Sequence, residues 1–388
     1  MRKYHVAFIG CGYVSSFYAL TISNHPNIQL AGVFDINRDR AEKFIENFPT
    51  KIYSSYQDIL LDKSIDIVVN LTDIPNHYEV SKNALKQGKH VYSEKPIAET
   101  IDQAHDLIVT SKQYNVQLSV APCNLLSASS QAVANILKSK SLIGPTRLVY
   151  ANIDDGPIYK MDYQNWISKT GVPWPYKEEF QMGCVREHAE YYIGLLCSFF
   201  GSAAEVCSMT YRLIDSNLYH GKNGPDFSVS CIRFENGTLA RLNCCSMIPG
   251  DRSISIFCEK AVIRMQDCWD YNSDVWIQKY TFSNPREGKN QHLSLTTPKK
   301  IPLSEELNFH SPYLDSHQMD FSRGISEIAQ SIAKGKNSLL NAQNALHILE
   351  VIEAIENAKE GMHKTVISSK FHRMQPYTPI TRVVECII

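Results

Sequence analysis

The first third of the chain alternates short apolar strands with amphipathic helices, and this alternation restricts the possible folds more than any other feature. The apolar segments are YHVAFIG, IQLAGVFD, DIVVNLT, HVYSEKP and VQLSVAP. Strands that are apolar along their whole length and separated by helices indicate a parallel sheet covered on both faces. The sequence therefore predicts a doubly wound α/β domain over residues 1–122.

The pattern changes after Pro122, where longer strands begin to follow one another directly. The segments are TRLVYANID, VCSMTYRLID, FSVSCIRFENGTLARLNCCSM, SISIFCEKAVIRM and DVWIQKYTF. Asn236 and Gly237 lie between two alternating stretches, which is a strong hairpin signal. We expect residues 123–388 to form an α+β domain built on a large, open, mainly antiparallel sheet.

Two segments near the C-terminus have assignable local structure. NAQNALHILEVIEAIENAKEG has the apolar stripe typical of a core helix, with Asn341 as candidate N-cap and Gly361 as candidate stop. The final TPITRVVECII is either a further edge strand or a subunit contact.

Composition excludes several classes of function. With 39 basic and 40 acidic residues the chain has no overall field for binding nucleic acid or an anionic membrane. No apolar run approaches the roughly 20 residues that span a bilayer. The N-terminus enters a strand without a signal-peptide core, and the eleven cysteines include no CxxC pair. We therefore expect a cytoplasmic protein that acts on small molecules without a metal.

The turn after the first strand has a dinucleotide-binding pattern. Gly10 and Gly12 follow the strand, and Ser15 stands where GxGxxG has its third glycine. Glycine lets backbone amides approach a pyrophosphate, which the N-terminus of the next helix also favours. Tyr13 and Val14 complete the turn and are expected to contact the cofactor.

Asp35 lies twenty residues after Ser15, at the end of the second strand. That placement suits a carboxylate that binds the two ribose hydroxyls of NAD. A 2′-phosphate would meet Asp35 as like charge, so NAD is preferred. Arg38 and Arg40 keep NADP possible, because either could turn toward such a phosphate.

Together with TDIPNHYEVSKNALKQGKHVYSEKP, these features resemble the Gfo/Idh/MocA family of glucose–fructose oxidoreductases and inositol dehydrogenases. The resemblance covers nearly the whole chain, and its most specific part is GKHV leading to Glu94, Lys95 and Pro96. It implies that Lys95 lies beside the nicotinamide and the reacting sugar carbon. It also implies that Glu94, Thr72 and His77 border the cofactor, although the proline of the usual TPNxxH is displaced. His77 is equally suited to a helix start.

The second domain departs from the family pattern D-x-G-x-H. Glu187, Ala189 and Tyr191 occupy those three places, and His188 follows the carboxylate directly. On an α-helix, Glu187 and Tyr191 share a face and His188 lies about 100° away. A nearby lysine ammonium favours a phenolate and lowers its pKa. We therefore expect Tyr191 and Lys95 to handle the proton, with His188 as the competing base.

Further candidates for substrate binding come from two places. Asn124 follows the last strand of the nucleotide domain, at the end of the sheet where α/β folds bind ligands. Trp166 lies in a segment rich in aromatic residues that either lines a sugar pocket or holds a long loop in place. The complete set of substrate-binding candidates is Lys95, Asn124, Trp166, Glu187, His188 and Tyr191.

The resemblance implies an NAD(H)-dependent oxidoreductase that transfers hydride between nicotinamide and a hydroxyl or ketone carbon of a sugar, cyclitol or nucleotide-linked sugar. Two alternatives remain. Some relatives hydrolyse glycosides through transient oxidation and elimination, and the altered D-x-G-x-H pattern also fits a sensor that binds dinucleotide without turnover. The resemblance further implies a homodimer or homotetramer that pairs through the open face of the large sheet.

Overall fold

The computed structural model describes residues 2–214, 223–282, 291–304, 318–358 and 363–374. Within these ranges the chain forms a six-stranded and a ten-stranded sheet. The predicted fold class, a doubly wound parallel sheet followed by a large and mainly antiparallel sheet, is confirmed. Among the same residues, no helix combines the length and the apolar character needed to cross a membrane.

The first sheet has the strand order β3-β2-β1-β4-β5-β6, and all of its neighbours pair in parallel. Its strands are β1 (Tyr4–Ile9), β2 (Ile28–Phe34), β3 (Lys51–Ile52), β4 (Ile67–Asn70), β5 (His90–Ser93) and β6 (Leu118–Val120). The connecting helices are α1 (Ser15–Thr21), α2 (Arg38–Asn47), α3 (Tyr56–Leu61), α4 (Ile74–Lys86) and α5 (Ile101–Gln113). This is the order of a dinucleotide-binding Rossmann fold.

Parallel pairing brings the carboxyl ends of these strands to one edge of the sheet. The residues that follow β1, β2, β4 and β5 therefore meet there, and they include Gly10, Asp35, Thr72 and Lys95. Burial explains why the strands are apolar, since every residue of β4 is buried.

The second sheet has the order β14-β13-β12-β11-β7-β10-β9-β8-β16, with β15 beside β13. Its strands are β7 (Thr146–Asp154), β8 (Ala203–Tyr211), β9 (Phe227–Phe234), β10 (Leu239–Cys245), β11 (Ile254–Cys258), β12 (Ala261–Met265), β13 (Val275–Phe282), β14 (Leu293–Leu295), β15 (Lys299–Lys300) and β16 (His363–Val366). The helices are α6 (Ala128–Lys138), α7 (Lys140–Ile143), α8 (Tyr176–Met182), α9 (Glu190–Phe200), α10 (Arg323–Ala333) and α11 (Ala342–Glu356). Among the described strands of this second sheet, only β7 and β10 pair in parallel.

Of the local predictions for this domain, the hairpin is confirmed and one predicted strand is found to be two. The hairpin at Asn236 and Gly237 joins β9 to β10, and Gly237 has the positive φ of 86° that such a turn requires. SISIFCEKAVIRM forms two strands, β11 and β12, and not one. The chain turns between them at Glu259 and Lys260, where no glycine or asparagine indicates a turn. Gly361 and TPITRVVECII lie outside the described residues.

The segments that precede the last two helices connect the second domain to the first. Asn341 caps α11 by accepting a hydrogen bond from the Asn344 amide at 3.1 Å. The preceding residue, Leu340, accepts a hydrogen bond from the amide of Val120 in β6 at 2.9 Å. His25 Nε2 lies within hydrogen-bond distance of the Asp320 carboxylate, at 3.0 Å, and this contact joins the N-terminal region to the segment before α10. The two domains therefore pack directly against each other.

Candidate functional site

The turn after β1 has the geometry of a phosphate-binding loop. Gly10 has φ of 97°, and a Cβ atom there would lie 2.5 Å from the Leu71 carbonyl oxygen. A Cβ atom on Gly12 would meet nothing within 4 Å, so open space adjoins this backbone. Ser15 is fully buried and donates through Oγ to the Gly12 carbonyl at 2.7 Å. These features fit a loop that a pyrophosphate can approach closely.

Asp35 is held at the end of β2 by two backbone amides. Its Oδ2 accepts from the Cys11 amide and its Oδ1 from the Asn37 amide, both at 2.7 Å. The carboxylate therefore lies against the glycine turn. Arg38 on α2 forms an exposed ion pair with Glu42, with 3.0 Å between the charged atoms. This contact assigns Arg38 no role at the cofactor edge.

Tyr13, Val14 and Glu94 also lie at this edge. Val14 precedes α1 and packs on the core, and the Tyr13 ring lies 5.6 Å from that of Phe17. Glu94 accepts from the Tyr18 hydroxyl at 2.5 Å and from the Lys95 amide at 3.0 Å. Its two oxygens thus fix the start of the EKP segment.

His77 is buried between the loops that follow β4 and β5, and its contact with the cofactor stays a prediction. It is 1% exposed, and its ring nitrogens lie 2.7 Å from the Pro96 carbonyl and 3.0 Å from the Thr72 carbonyl. Burial lowers its pKa, although those carbonyls act to raise it. His77 thus links the loop after β4 to the loop that carries Lys95, and acts as a positioning residue.

Lys95 joins the two domains through an ion pair with Glu187. Its Nζ atom donates to Glu187 Oε2 at 2.6 Å and to the Glu187 carbonyl at 3.0 Å. Both side chains are largely buried, with 13% and 8% of their surfaces exposed. Burial alone would lower the pKa of Lys95, but Glu187, Tyr191 and Glu179 raise it well above its usual value. The lysine is therefore a buried ammonium.

Glu179 is a second carboxyl group at this ion pair, and no sequence pattern indicated it. Burial and the adjacent Glu187 raise the pKa of Glu179 well above its usual range, although Lys95 acts to lower it. The pKa of Glu187 is lowered: burial acts against this, but Lys95 and the hydrogen bond from Glu179 outweigh it. The two carboxyl groups consequently share one proton, with Glu187 ionised and Glu179 protonated.

A π-helical turn over Val185–Ala189 precedes α9 and sets the register of this segment. Such turns insert a residue into a helix and occur often at functional sites. Glu187 and Tyr191 both act on Lys95, as the predicted shared face requires. The prediction that His188 is turned away from Glu187 is wrong, because the two residues lie in the same cleft wall. The rings of His188 and Tyr191 both lie against Trp269, at 5.7 and 5.3 Å between ring centroids.

His188 faces a carboxylate on the neighbouring sheet. Its Nε2 lies 3.4 Å from Oδ2 of Asp155, which directly follows β7. Burial raises the pKa of Asp155 to about 7, while Arg252 acts to lower it and Asp267 to raise it. Arg252 lies 3.7 Å from Asp155 and is itself held by Asp267 at 2.8 Å. His188 and Asp155 thus form a dyad of adjacent titratable side chains beside the cleft.

Tyr191 is not the activated phenol that the sequence predicts. Burial raises the pKa of Tyr191, and the carboxyl groups of Glu94, Glu179 and Glu190 add to the rise. Lys95 does act to lower it, as expected, but is outweighed. Tyr191 therefore keeps its proton at neutral pH and can serve as a hydrogen-bond donor.

Asn124 is buried and makes a structural hydrogen bond at the site. It is 1% exposed and donates through Nδ2 to the Tyr191 carbonyl at 3.0 Å. This hydrogen bond connects the end of the nucleotide domain to α9, and direct contact of Asn124 with substrate stays a prediction.

A cleft with an empty volume of about 410 Å³, including open solvent, lies beside the ion pair. Its wall contains Glu179, Glu187, His188 and the aromatic rings of Trp174 and Phe180, and its lining residues belong to the second domain. Trp166 is not part of this wall, but its ring packs on Trp174 at 5.0 Å. The aromatic segment therefore both orders its own loop and supplies a cleft wall.

The residues that sequence reasoning missed are Asp155, Glu179, Glu190, Asn223 and Trp269. Asp155 carried a usable signal, because it follows a predicted strand directly. Glu179 carried no usable sequence signal, since it lies beside the exposed Glu178 in a segment without clear periodicity.

Comparison with known proteins identifies the class to which the chain belongs. Residues 4–122 match the family described as oxidoreductase family, NAD-binding Rossmann fold, and residues 153–366 match its C-terminal alpha/beta domain. The chain belongs to the Gfo/Idh/MocA family of NAD(P)-dependent oxidoreductases, which confirms the resemblance and the expected dinucleotide cofactor.

Individual relatives match parts of the chain. The glucose-6-phosphate 3-dehydrogenase of Bacillus subtilis is 33% identical over 141 residues, which is 36% of this chain and 37% of that enzyme. Glycosyl hydrolase family 109 protein 3 of Phocaeicola vulgatus is 34% identical over 122 residues, covering 29% of this chain and 22% of that protein. These matches thus span well under half of either relative.

Solved structures match the fold over greater length. An oxidoreductase from Agrobacterium radiobacter, in complex with NAD+, L-tartaric acid and magnesium, has a TM-score of 0.73 and 16% identity. The match covers 92% of this chain and 96% of that one. At this level of identity the likeness establishes the shared two-domain fold.

Proposed function

We propose that the protein oxidises a CH–OH carbon of a sugar, cyclitol or nucleotide-linked sugar, or performs the reverse reduction, with NAD(H). Residues 1–122 would bind the dinucleotide and residues 123–388 the substrate. The observation that carries the proposal is the buried ion pair of Lys95 and Glu187 at the junction of the domains. A buried ion pair is a poor device for stability compared with apolar packing. Strongly perturbed titratable groups beside a cleft indicate a functional site.

The residues at the edge of the first sheet fit a dinucleotide. The open space at Gly12 and the tight turn at Gly10 would accept the pyrophosphate. Asp35, fixed by two amides, would accept hydrogen bonds from the ribose hydroxyls, which favours NAD over NADP. When bound, NAD supplies the hydride acceptor of the reaction.

Lys95 would orient and polarise the substrate oxygen. An ammonium group has three N–H donors, and Glu187 accepts from Nζ through two of its oxygens. A third donor is therefore available to the oxygen of the reacting alcohol. The ionised Glu187 keeps Lys95 protonated, so Lys95 acts as a donor and does not remove the proton.

His188 would take the proton that leaves the alcohol. It lies in the cleft wall, and Asp155 at 3.4 Å can stabilise the imidazolium that forms. Tyr191, which retains its own proton, would donate a hydrogen bond. This assignment exchanges the roles that the sequence suggested for His188 and Tyr191.

The test is NADH formation by the purified full chain with NAD+ and a panel of sugars, cyclitols and nucleotide-linked sugars. We expect Lys95→Met to lower kcat/KM by about 10²–10³, as when a transition-state donor is removed. Lys112→Met, on exposed α5, is the matched control and should keep full activity. Dinucleotide binding without turnover on any compound would instead support a sensor.

Net hydrolysis is a second candidate, which the partial likeness to a family 109 glycosyl hydrolase favours. Oxidation, elimination and return of the hydride would release an aglycone from a glycoside without accumulating NADH. Measuring aglycone and NADH in the same reaction separates the two candidates. NADH that rises in step with product supports dehydrogenation.

We further propose that the protein is a homodimer or homotetramer that pairs through the outer face of the large sheet. Tyr150 and Leu239 are 38% and 40% exposed on this face, and the Tyr150 ring packs at 5.2 Å on that of Phe257. Contiguous exposed apolar side chains on a sheet face are typical of interfaces. Analytical ultracentrifugation of the wild type and of Tyr150→Glu measures the assembly state.

A further inference from the structure

Arg252 contacts two of the side chains that border the proposed base, His188. Its Nη1 lies 3.7 Å from Oδ1 of Asp155, and the other oxygen of Asp155 lies 3.4 Å from Nε2 of His188. The guanidinium carbon lies 4.7 Å from the centre of the Trp269 ring. The same ring packs against His188, with 5.7 Å between ring centroids. Arg252 therefore reaches His188 along two routes, through a carboxyl group and through an aromatic ring.

Arg252 is held in this position by a carboxylate and by a helix. Its Nε and Nη2 donate to the carboxylate of Asp267 at 2.8–3.0 Å, in the bidentate arrangement that a guanidinium forms best. Its backbone carbonyl accepts from the hydroxyl of Tyr192 in α9 at 2.7 Å. Burial acts to lower the pKa of Arg252, but Asp267 and Asp155 raise it above its usual value. The arginine is therefore a fixed positive charge.

The charge of Asp155 depends on the groups that face it. Burial favours its protonated form, Arg252 favours the carboxylate and Asp267 opposes Arg252, with the result that the pKa of Asp155 is raised to about 7. Glu179 in the cleft wall also interacts with Asp155, but it is protonated and brings no charge. Because His188 is adjacent, the histidine and the aspartate bind and release protons as a pair.

Other ionisable groups near the dyad are already neutral or paired. Glu187 acts on His188 but forms its own ion pair with Lys95 at 2.6 Å. Cys268 next to Arg252 keeps its proton, because burial raises the pKa of its thiol well above the usual value. A positive charge within about 4–6 Å of a titratable group favours the loss of its proton. Arg252 consequently lowers the pH at which the dyad releases its proton.

We propose that Arg252 is a positioning residue that sets the pH range of the reaction, by holding Asp155 as a carboxylate beside His188 and by keeping Trp269 against the imidazole. This rests on the proposed function, in which His188 takes the proton of the alcohol. A base must be unprotonated to do so, and an ionised Asp155 stabilises the imidazolium that then forms. Arg252 is not part of the cleft wall, so it acts through these neighbours.

The experiment measures kcat across the pH range for the full chain with NAD+ and the best compound of the panel. Arg252→Met removes the charge and should move the limb on which activity rises with pH upward by about one pH unit. Arg252→Lys keeps a positive charge without the bidentate contact, and should return most of that limb to its wild-type position. Arg233→Met, the matched control, removes an arginine from an exposed ion pair with Glu205 on the same sheet and should leave the profile unchanged.

Asp267→Asn tests the same electrostatics in the opposite direction, and it does so even if Arg252→Met does not fold. Asparagine keeps the size of the side chain and one oxygen acceptor, while Arg252 keeps its charge. Removal of the opposing negative charge should therefore move the limb to lower pH. Three results would overturn the proposal: a uniform loss of rate without a shift in Arg252→Met, an equal upward shift in Arg252→Lys, or an unchanged or upward-shifted limb in Asp267→Asn.

The protonation of His188 separates this inference from the proposed function. If no compound is oxidised, the proposed function fails, and NMR of the full chain with isotope-labelled histidine still follows the His188 ring as the pH changes. His188→Asn identifies its signal. A titration midpoint that rises in Arg252→Met and falls in Asp267→Asn supports control of the dyad by Arg252, whereas equal midpoints in all of these proteins contradict it.

Discussion

Lys95 and Glu187 are 92 positions apart in the chain, and their charged atoms lie 2.6 Å apart across the junction of the two domains. The lysine follows β5, and the glutamate belongs to the π turn before α9. Because both side chains are largely buried, the pair fixes how the end of the first sheet meets the second domain. The groups proposed to act on substrate are arranged around this contact.

The energetic coupling of this pair can be measured with a double-mutant cycle. Lys95→Met leaves Glu187 as an unpaired buried carboxylate, and removing one partner of such a pair costs about 3–5 kcal/mol. Lys95→Met with Glu187→Gln should cost less than the sum of the single changes, because no isolated charge remains. Urea unfolding of the four proteins gives these free energies. Strictly additive losses would show that the two groups do not interact in solution.

The assignment of the base predicts different effects for two neighbouring variants. We expect His188→Asn to lower kcat by about 10²–10⁴ and to remove the limb of the pH profile on which activity rises with pH. Tyr191→Phe should cost less than about tenfold, because the phenol stays protonated and supplies only a hydrogen bond. Steady-state rates across the pH range distinguish them. Full turnover in His188→Asn with loss in Tyr191→Phe would restore the phenol as the base.

Asp155→Asn tests whether the dyad positions His188. The variant should shift the pH profile of kcat while leaving KM for NAD+ unchanged, because Asp155 lies 3.4 Å from the imidazole and not at the dinucleotide edge. A uniform loss of rate at every pH, without a shift, would instead indicate a purely structural contribution.

Asp35 should determine the choice between the two dinucleotides. Asp35→Asn keeps the size of the side chain and one oxygen acceptor for the Cys11 or Asn37 amide, but removes the charge. We expect Kd for NAD to rise about tenfold, or about 1.4 kcal/mol, and the preference over NADP to fall. Fluorescence titration with both dinucleotides measures this. Asp39→Asn on exposed α2 is the control, and an unchanged preference in Asp35→Asn would contradict the role.

The sequence predicts the nucleotide-binding half of this site well, because local rules govern it. Apolar strands, the glycines after β1 and an acidic residue after β2 depend on neighbours close in the chain. Gly10 and Asp35 accordingly stand where the pattern places them, at one edge of the parallel sheet. The EKP segment follows β5 at the same edge for the same reason.

The substrate side depends on contacts between distant segments, which no local pattern shows. The π turn at Val185–Ala189 changes which side chains share a face, so an α-helical projection misplaces His188. The two ring nitrogens of His77 lie within hydrogen-bond distance of backbone carbonyls from two separate loops. Glu179 acquires its importance only because α8 comes to lie beside Glu187. Burial then decides against an ionised Tyr191, because it raises the pKa of the phenol by more than Lys95 lowers it.

Glu190 should make the stability of the protein depend on pH. It is 2% exposed, and its Oε2 has no hydrogen bond among the described residues. Burial raises the pKa of Glu190 from 4.5 to about 8, with Lys95 and Arg186 acting to lower it and Glu94 and Glu187 to raise it. The folded state thus holds this proton more tightly than the unfolded chain does. The stability that the group contributes is complete below about pH 4.5 and is lost as the pH rises to about 8.

Glu190→Gln removes this titration, so the variant lacks this loss of stability as the pH rises. The free energy of unfolding of the variant, relative to wild type, should increase between about pH 5 and pH 8.5, by no more than about 5 kcal/mol. Urea unfolding at intervals across that range measures the difference. Glu178→Gln, whose side chain is exposed, should follow the wild type at every pH. If the Glu190→Gln and wild-type curves instead run parallel, the pKa of Glu190 is the same in the folded protein as in the unfolded chain. The burial of this group then has no electrostatic cost.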